Sequence, residues 1–341
     1  MIFPHGDLFR ALRPHLTPLL SQDAAGHVQS LTDRLPPAFT WGGLELRLKC
    51  GDEQVDYGAC AAAWEDCRPA LAAALAHTSH RASFGALRPL LDAWARAEGG
   101  MSDVTHLWLE YDQAGREAGG SDPVVFIAVD PESRNVGHRR EIPLSHALRL
   151  ASEGLTLALG KAPDPAIFET YSRCSYLLPP GGRVMSVAPL QTRGRDELRM
   201  DVSLPHDSIG PWLSAIGWPG DRRARDRLFA LIGSGWSRNN VELDIGHAVG
   251  PALGFLYHPI GVQQQTEKWL PFIRRLGDAG LCDRERGEAI CRWPGSETVQ
   301  LPGAEWHVRI LRDLGFKVEV RNDGELRAKA YLCYWSSFTL I

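Results

Sequence analysis

Residues 44–50, Leu-Glu-Leu-Arg-Leu-Lys-Cys, alternate apolar and polar side chains almost without a break. That is the two-residue period of a strand with one face in an apolar layer and the other in a polar one. After a turn at Gly51-Asp52-Glu53, residues 55–61 can return beside them, which predicts a hairpin. Four more pairs follow: 106–112 with 124–130 across a Gly-rich loop, 183–191 with 197–205, 241–247 with 252–259, and 305–313 with 326–335. Residues 316–320 (Phe-Lys-Val-Glu-Val) alternate as well, so the fifth pair is either extended by them or broken at Gly315.

Between the pairs the apolar period lengthens to that of helices, two at a time. Helices over about 7–20 and 23–34 precede the first pair. After it, Pro69 falls in the first turn of an Ala-rich helix, and Leu87, Leu91 and Trp94 mark one face of a second. Leu148, Ala151, Leu155 and Leu159 share a face in the next gap, where Asp164-Pro165 reads as a cap followed by a first-turn proline. The third gap holds Pro211 to Trp218, then a helix opened by Asp221 with Leu228, Leu231 and Ile232. The fourth holds Trp269, Phe272, Ile273 and Leu276, then a helix opened by Asp283 through Ile290 and Trp293. The chain thus reads as a fivefold helix, helix, strand, strand array over residues 1–341, one domain without a linker.

The polar faces decide how the strands assemble. Glu45, Arg47 and Lys49 share a face of the first strand; the same phase returns with Arg199, Asp201 and Ser203, with Glu242 and Asp244, with His307 and Arg309, and with Arg327, Lys329 and Tyr331. Ten helices need apolar sheet to pack on, which places the polar faces together inside a closed barrel. The predicted fold class is therefore α+β: a single-domain antiparallel barrel of about ten strands ringed by helices. It differs from the parallel eight-stranded barrel, whose crossovers each use one helix.

Composition excludes several functions. Hydrophobic residues are 44% and charged residues 23% of the chain, a balance that supports a sizeable core, and the net charge of -4 without a Lys/Arg run argues against a nucleic-acid partner. No segment approaches a membrane span, and the start Met-Ile-Phe-Pro-His-Gly-Asp lacks the pattern of a secretory leader. The seven cysteines (Cys50, Cys60, Cys67, Cys174, Cys282, Cys291, Cys333) form no C-x-x-C pair, so buried free thiols and a cytoplasmic location are expected.

The expected lumen mixes cations (Arg47, Lys49, Arg199, Arg309, Lys329), carboxylates (Glu45, Glu110, Glu242, Asp244) and aromatics (Trp108, Tyr257, Tyr331, Trp335). Cations on several strands can surround a diphosphate, aromatic faces can shield a carbocation, and a carboxylate between them can take a proton. The alternative is that these groups pair off as internal salt bridges filling a wide barrel. No G-x-x-x-x-G-K-[ST], G-x-G-x-x-G or G-x-S-x-G motif is present. His77 and His80 read as a surface pair rather than a zinc site, and no D-D-x-x-D offers a magnesium-diphosphate cluster.

The repeat resembles the ABBA prenyltransferase fold, and short stretches resemble the cyanobactin-type prenyltransferases that alkylate ribosomal peptides. The closest stretch runs from Leu44-Glu45 through Lys49 to Trp64-Glu65-Asp66; residues 198–203 (Leu-Arg-Met-Asp-Val-Ser), 255–258 (Phe-Leu-Tyr-His) and 334–338 (Tyr-Trp-Ser-Ser-Phe) are also similar. The resemblance implies Glu45 as catalytic carboxylate and Arg199 at a diphosphate position, to which Lys49, Arg309 and Lys329 add cations. Trp108, Tyr257, Tyr331 and Trp335 are expected to shield the isoprenoid, and Glu110, Glu242 and Asp244 to bind the acceptor. Ala59 stands where the family carries a second-strand Arg. The implied reaction moves an isoprenoid from its diphosphate, dimethylallyl, geranyl or longer, to an Arg or Trp side chain of a peptide, with no metal and no tightly bound cofactor. Small-molecule aromatic prenylation and a non-catalytic barrel for peptides or lipophiles are the alternatives.

Overall fold

The computed structural model describes residues 2–49, 54–77, 84–112, 122–130, 143–233, 238–257 and 266–338. Cys50, the expected turn at residues 51–53, most of the Gly-rich loop after residue 112, His80 and residues 258–259 lie outside them.

Helices and strands alternate two by two, as expected. Helices α1 (His5–Leu16) and α2 (Gln22–Arg34) precede β1 (Trp41–Arg47) and β2 (Val55–Ala62). Then come α3 (Cys67–Ala76) and α4 (Arg88–Ala95) before β3 (His106–Tyr111) and β4 (Val124–Ala128), and α5 (Leu144–Leu159) and α6 (Pro165–Tyr176) before β5 (Arg183–Pro189) and β6 (Leu198–Pro205). Next are α7 (Ile209–Ala215), α8 (Arg222–Ile232), β7 (Arg238–Ile245) and β8 (Leu253–Tyr257). The last unit has α9 (Thr266–Asp278), α10 (Arg284–Cys291), β9 (Gly295–Val299), β10 (Val308–Val320) and β11 (Leu326–Phe338).

Local chemistry sets several helix starts. Asp164 accepts bonds from the backbone amides of Ala166 and Ile167 at 2.8 and 3.3 Å with Pro165 in the first turn, and Asp221 accepts from those of Arg223 and Ala224 at 2.8 and 3.4 Å. Asp221→Ala is expected to lower stability by about 1 kcal/mol, read as a shift of the urea midpoint at unchanged slope.

Sequence-adjacent strands pair antiparallel from β1 to β8; β8 pairs with β10, and β11 pairs with both β10 and β1. The ring therefore closes with ten strands. Of the two arrangements expected for the fifth pair, the extended one is found: β10 runs unbroken through Gly315, which lies opposite Tyr331. Strand β9, which the sequence pattern did not predict, lies outside the ring on the first half of β10 (Val308 opposite Val299), leaving the second half of that edge to β8.

Leu44, Leu46, Tyr57, Leu109, Met200 and Phe316 face outward into one apolar core with Trp94, Trp212, Trp269 and Trp293. The closing seam has its own tie. Gly42 leaves room for the Tyr57 and Tyr334 hydroxyls to meet across β1 at 2.6 Å, where a Cβ would lie 2.7 and 2.5 Å from them. The His5 Nε2–H donates to the Phe39 carbonyl at 3.0 Å, so Nδ1 accepts from the Tyr57 hydroxyl at 2.6 Å; burial lowers the imidazole to about 4, keeping it neutral. The six described cysteines are all free and buried.

Candidate functional site

The inward face of each strand is the one opposite its leucines, and register fixes which side chains share a level. Glu45 lies between Asp56 on β2 and Tyr331 on β11, and Arg47 lies opposite Lys329. The Glu45 carboxylate accepts from the Arg47 guanidinium, the Tyr331 hydroxyl and, at 2.9 Å, the Lys329 ammonium. A second Arg47 nitrogen donates to Asp56 at 2.9 Å. Burial alone would raise the Glu45 carboxyl, but Lys329, Arg47 and Lys317 with the Tyr331 hydrogen bond hold it well below the usual range. It is a buried, ionised carboxylate.

From Glu45 toward the end of the barrel formed by the last residues of β1 and β10, the lumen is a chain of ion pairs. Lys329 reaches Glu319 at 3.4 Å, and Lys317 bonds Glu242 and lies 3.5 Å from Glu319. Arg199 grips Asp244 at 2.8 and 3.2 Å and lies 3.7 Å from Glu242; Arg195 reaches Asp244 at 2.9 Å. On the other wall Arg193 bonds Asp112 at 2.6 Å and Glu110 at 2.7 Å. Against the cost of burial, Lys329 and Lys317 bring the Glu319 carboxyl to about 2. Burial raises Glu110, and burial with the Glu242 charge raises Asp201 well above the ordinary range. Oxygens of Glu45, Asp56 and Glu110 lie within 4.8 Å of one another, a spacing that could hold a cation. Arg47, Lys329 and Arg193 bond them instead.

The opposite half of the lumen is aromatic. Trp41 and Trp335 stack at 4.4 Å with 10° between their planes. Trp108 lies over Gly43 and Gly58; a Cβ on Gly58 would come 2.4 Å from its ring, so the indole lies flat only because that position has no side chain. Phe126 stands beside Trp108 in register. At the join of the two halves lies Asp313, opposite Cys333, its carboxylate accepting from the Leu314 amide at 2.8 Å; burial pushes its pKa up to about 6.

Several expected placements change. Glu45, Arg199, Lys329, Trp108, Tyr331, Trp335, Glu110, Glu242 and Asp244 all face the lumen. Tyr257 does not: it pairs with outward-facing Phe316 and its ring packs 6.2 Å from Phe272 in the helix coat. Arg309 is on the inward phase but at the aromatic end, with Ser296 Oγ at 3.2 Å; eight residues of strand, roughly 26 Å, separate it from Lys317. It cannot join Arg199 and Lys329 around one ligand. Lys49 is exposed beyond the end of β1. Ala59 faces outward beside Tyr57, opposite Gly42, so an Arg there would enter the core rather than the lumen. Glu242 and Asp244, expected on the acceptor, are the partners of Lys317, Arg199 and Arg195. Lys317, Glu319 and Asp313 went unassigned; carrying the alternation through Gly315 would have found all three. Arg193, in a 3-10 turn between β5 and β6, carries no periodic signal.

No protein-family model matches the chain, and no curated protein matches it in sequence. Among solved structures it is similar to 5-dimethylallyltryptophan synthase from Streptomyces coelicolor, with 14% identity over 96% of this chain and 95% of that one and a TM-score of 0.46. It is also similar to the prenyltransferase PriB in ternary complex with L-tryptophan and dimethylallyl thiolodiphosphate, with 13% identity over 97% and 94% and a TM-score of 0.47.

Proposed function

We propose that the barrel catalyses transfer of an isoprenoid from its diphosphate to a nucleophilic side chain, an indole in first place. The carrying observation is the lumen's division into an ionised half around Glu45 and an aromatic half under Trp108, Trp41 and Trp335. The C1–O bond of the donor breaks, diphosphate leaves with the bonding pair, and the allylic cation is shielded by aromatic faces while the acceptor attacks. The proton lost from the alkylated acceptor goes to Glu45. A carboxylate held below its usual range is a weak base, and a weak base suffices because an alkylated arenium ion is a strong acid.

An indole is favoured over a guanidinium because Glu242 and Asp244 are already bonded to lumen cations. Glu110 is likewise engaged, by Arg193, so it lends the Arg reading no support. A peptide carrying the indole and a small aromatic molecule fit this geometry alike. The test incubates the protein with dimethylallyl, geranyl and farnesyl diphosphates, free tryptophan, and matched peptides bearing a single Trp, Arg or Tyr, with and without excess chelator. Diphosphate release and an isoprenoid mass shift on Trp, both persisting in chelator, are expected. No release with any donor would leave a binding barrel, and loss restored by magnesium would assign a metal to the carboxylates.

A further inference from the structure

Two cavities open at the ionised end, and their charges differ. The smaller, about 270 Å³, is lined by four cations (Arg195, Arg199, Lys317, Arg321) and four carboxylates (Glu242, Asp244, Glu319, Asp323). The larger, about 850 Å³, lies between the barrel rim and the helix coat, where the end of β1 and the β10–β11 turn meet α8 and the α9–α10 turn. Among the described residues its charged lining is Arg47, Lys49, Arg227, Arg321 and Arg327 with Glu325, five cations to one carboxylate. Arg47 is engaged by Glu45 and Asp56, and Arg321 lies 3.6 Å from Asp323. Among the described residues Lys49, Arg227 and Arg327 have no ion-pair partner. Uncompensated positive charge around a concavity is an anion site, and guanidinium groups give the forked donors that phosphate oxygens accept. The rim lies close to the reacting level: Arg327 is four residues from Tyr331 along β11, roughly 13 Å of strand, with Lys329 between.

We propose that this rim cavity binds a diphosphate group through Lys49, Arg227 and Arg327, either still esterified to the isoprenoid or free as the released product. The identity of the ester rests on the transferase reading above; the anion site does not. The neutralised lumen cations Arg199 and Lys317 are then scaffold for the lumen, and Arg227, on a helix of the outer coat, becomes a ligand-binding residue.

Calorimetric titration of the purified protein with inorganic diphosphate and, separately, with dimethylallyl thiolodiphosphate tests this. Arg227→Gln and Arg327→Gln are each expected to weaken inorganic diphosphate binding by about 3- to 10-fold, and the double variant by about 10- to 100-fold. Arg309→Gln, at the other end of the barrel, is expected to leave it unchanged. Equal losses for the thiolodiphosphate assign the site to the donor; losses for the inorganic ion alone assign it to the product. Wild-type affinity in the double variant, or no binding of either compound to the wild-type protein, overturns the proposal. Anion binding with these losses but no isoprenoid transfer would sink the transferase reading and leave the site. Transfer at wild-type KM by the double variant, with wild-type affinity for inorganic diphosphate, would do the reverse.

Discussion

Glu45→Gln is expected to lower isoprenoid-transfer turnover by about 100- to 10,000-fold, the contribution of a positioned general base, with donor affinity changed little. The amide keeps the shape and can still accept from Tyr331, but it cannot take the acceptor's proton. The pH profile adds a second readout. Because Lys329, Arg47 and Lys317 hold the Glu45 carboxyl well below its usual range, the base stays ionised and turnover should be flat from about pH 8 down to pH 5. Asp313, pushed up to about 6, faces the same lumen. An acid limb near pH 6, abolished by Asp313→Asn and untouched by Glu45→Gln, would transfer the role of base to Asp313.

Arg47→Met is expected to cost about 3–5 kcal/mol of stability at pH 7, because the guanidinium is the shared partner of two buried carboxylates, Glu45 and Asp56. Urea denaturation of the variant and wild type from pH 7 to pH 4 measures it. In the wild type Glu45 and Glu319 have folded-state values below their unfolded ones, so their stabilisation is present above about pH 4.5 and is lost as pH falls toward those values. In the variant Glu45 keeps Lys329 and Tyr331 but loses one of its cations, so its carboxyl lies less far below the usual range. The difference between the two proteins is therefore full near neutral pH and shrinks as pH falls and the carboxyl is protonated in both, so the two curves converge in acid. A loss under about 1 kcal/mol, constant with pH, would mean that water solvates this level of the lumen.

The strand pairs and the polar phase were legible because a two-residue period survives in sequence wherever one face of a strand is apolar. Leu44 to Leu48 state it outright, and the structure places Glu45 and Arg47 inward accordingly. What the period cannot carry is position along the barrel axis. Arg309 and Lys329 share the inward phase, yet the register of β10 on β11 sets them at opposite ends. Phase also fails where alternation is weak: around Phe255-Leu256-Tyr257 every residue is apolar, and only pairing with Phe316 shows that Tyr257 points into the helix coat. The resemblance to family strands placed Ala59 by analogy, and one residue of offset between Gly58 and Ala59 is enough to exchange lumen for core. Strand β9, with Gly-Ser-Glu-Thr-Val, has one apolar residue in five and no period to detect.

The seam where β11 meets β1 has a consequence for how the chain acquires its shape. Residues 41–47 have no partner on one side until residues 329–335 exist to pair with them, and β10 waits for the same strand. During synthesis the barrel is thus an open, curling sheet with two long adhesive edges, and the final hairpin acts on both at once. Loop closure across nearly the whole sequence makes this step slow and late, and aggregation competes with it while the edges stay bare. The hydroxyl and imidazole tie of Tyr334, Tyr57 and His5 can form only after that event, since Tyr334 lies on the arriving strand. It works as a latch on a ring already shut, and protection of those groups from exchange would report the last step of folding.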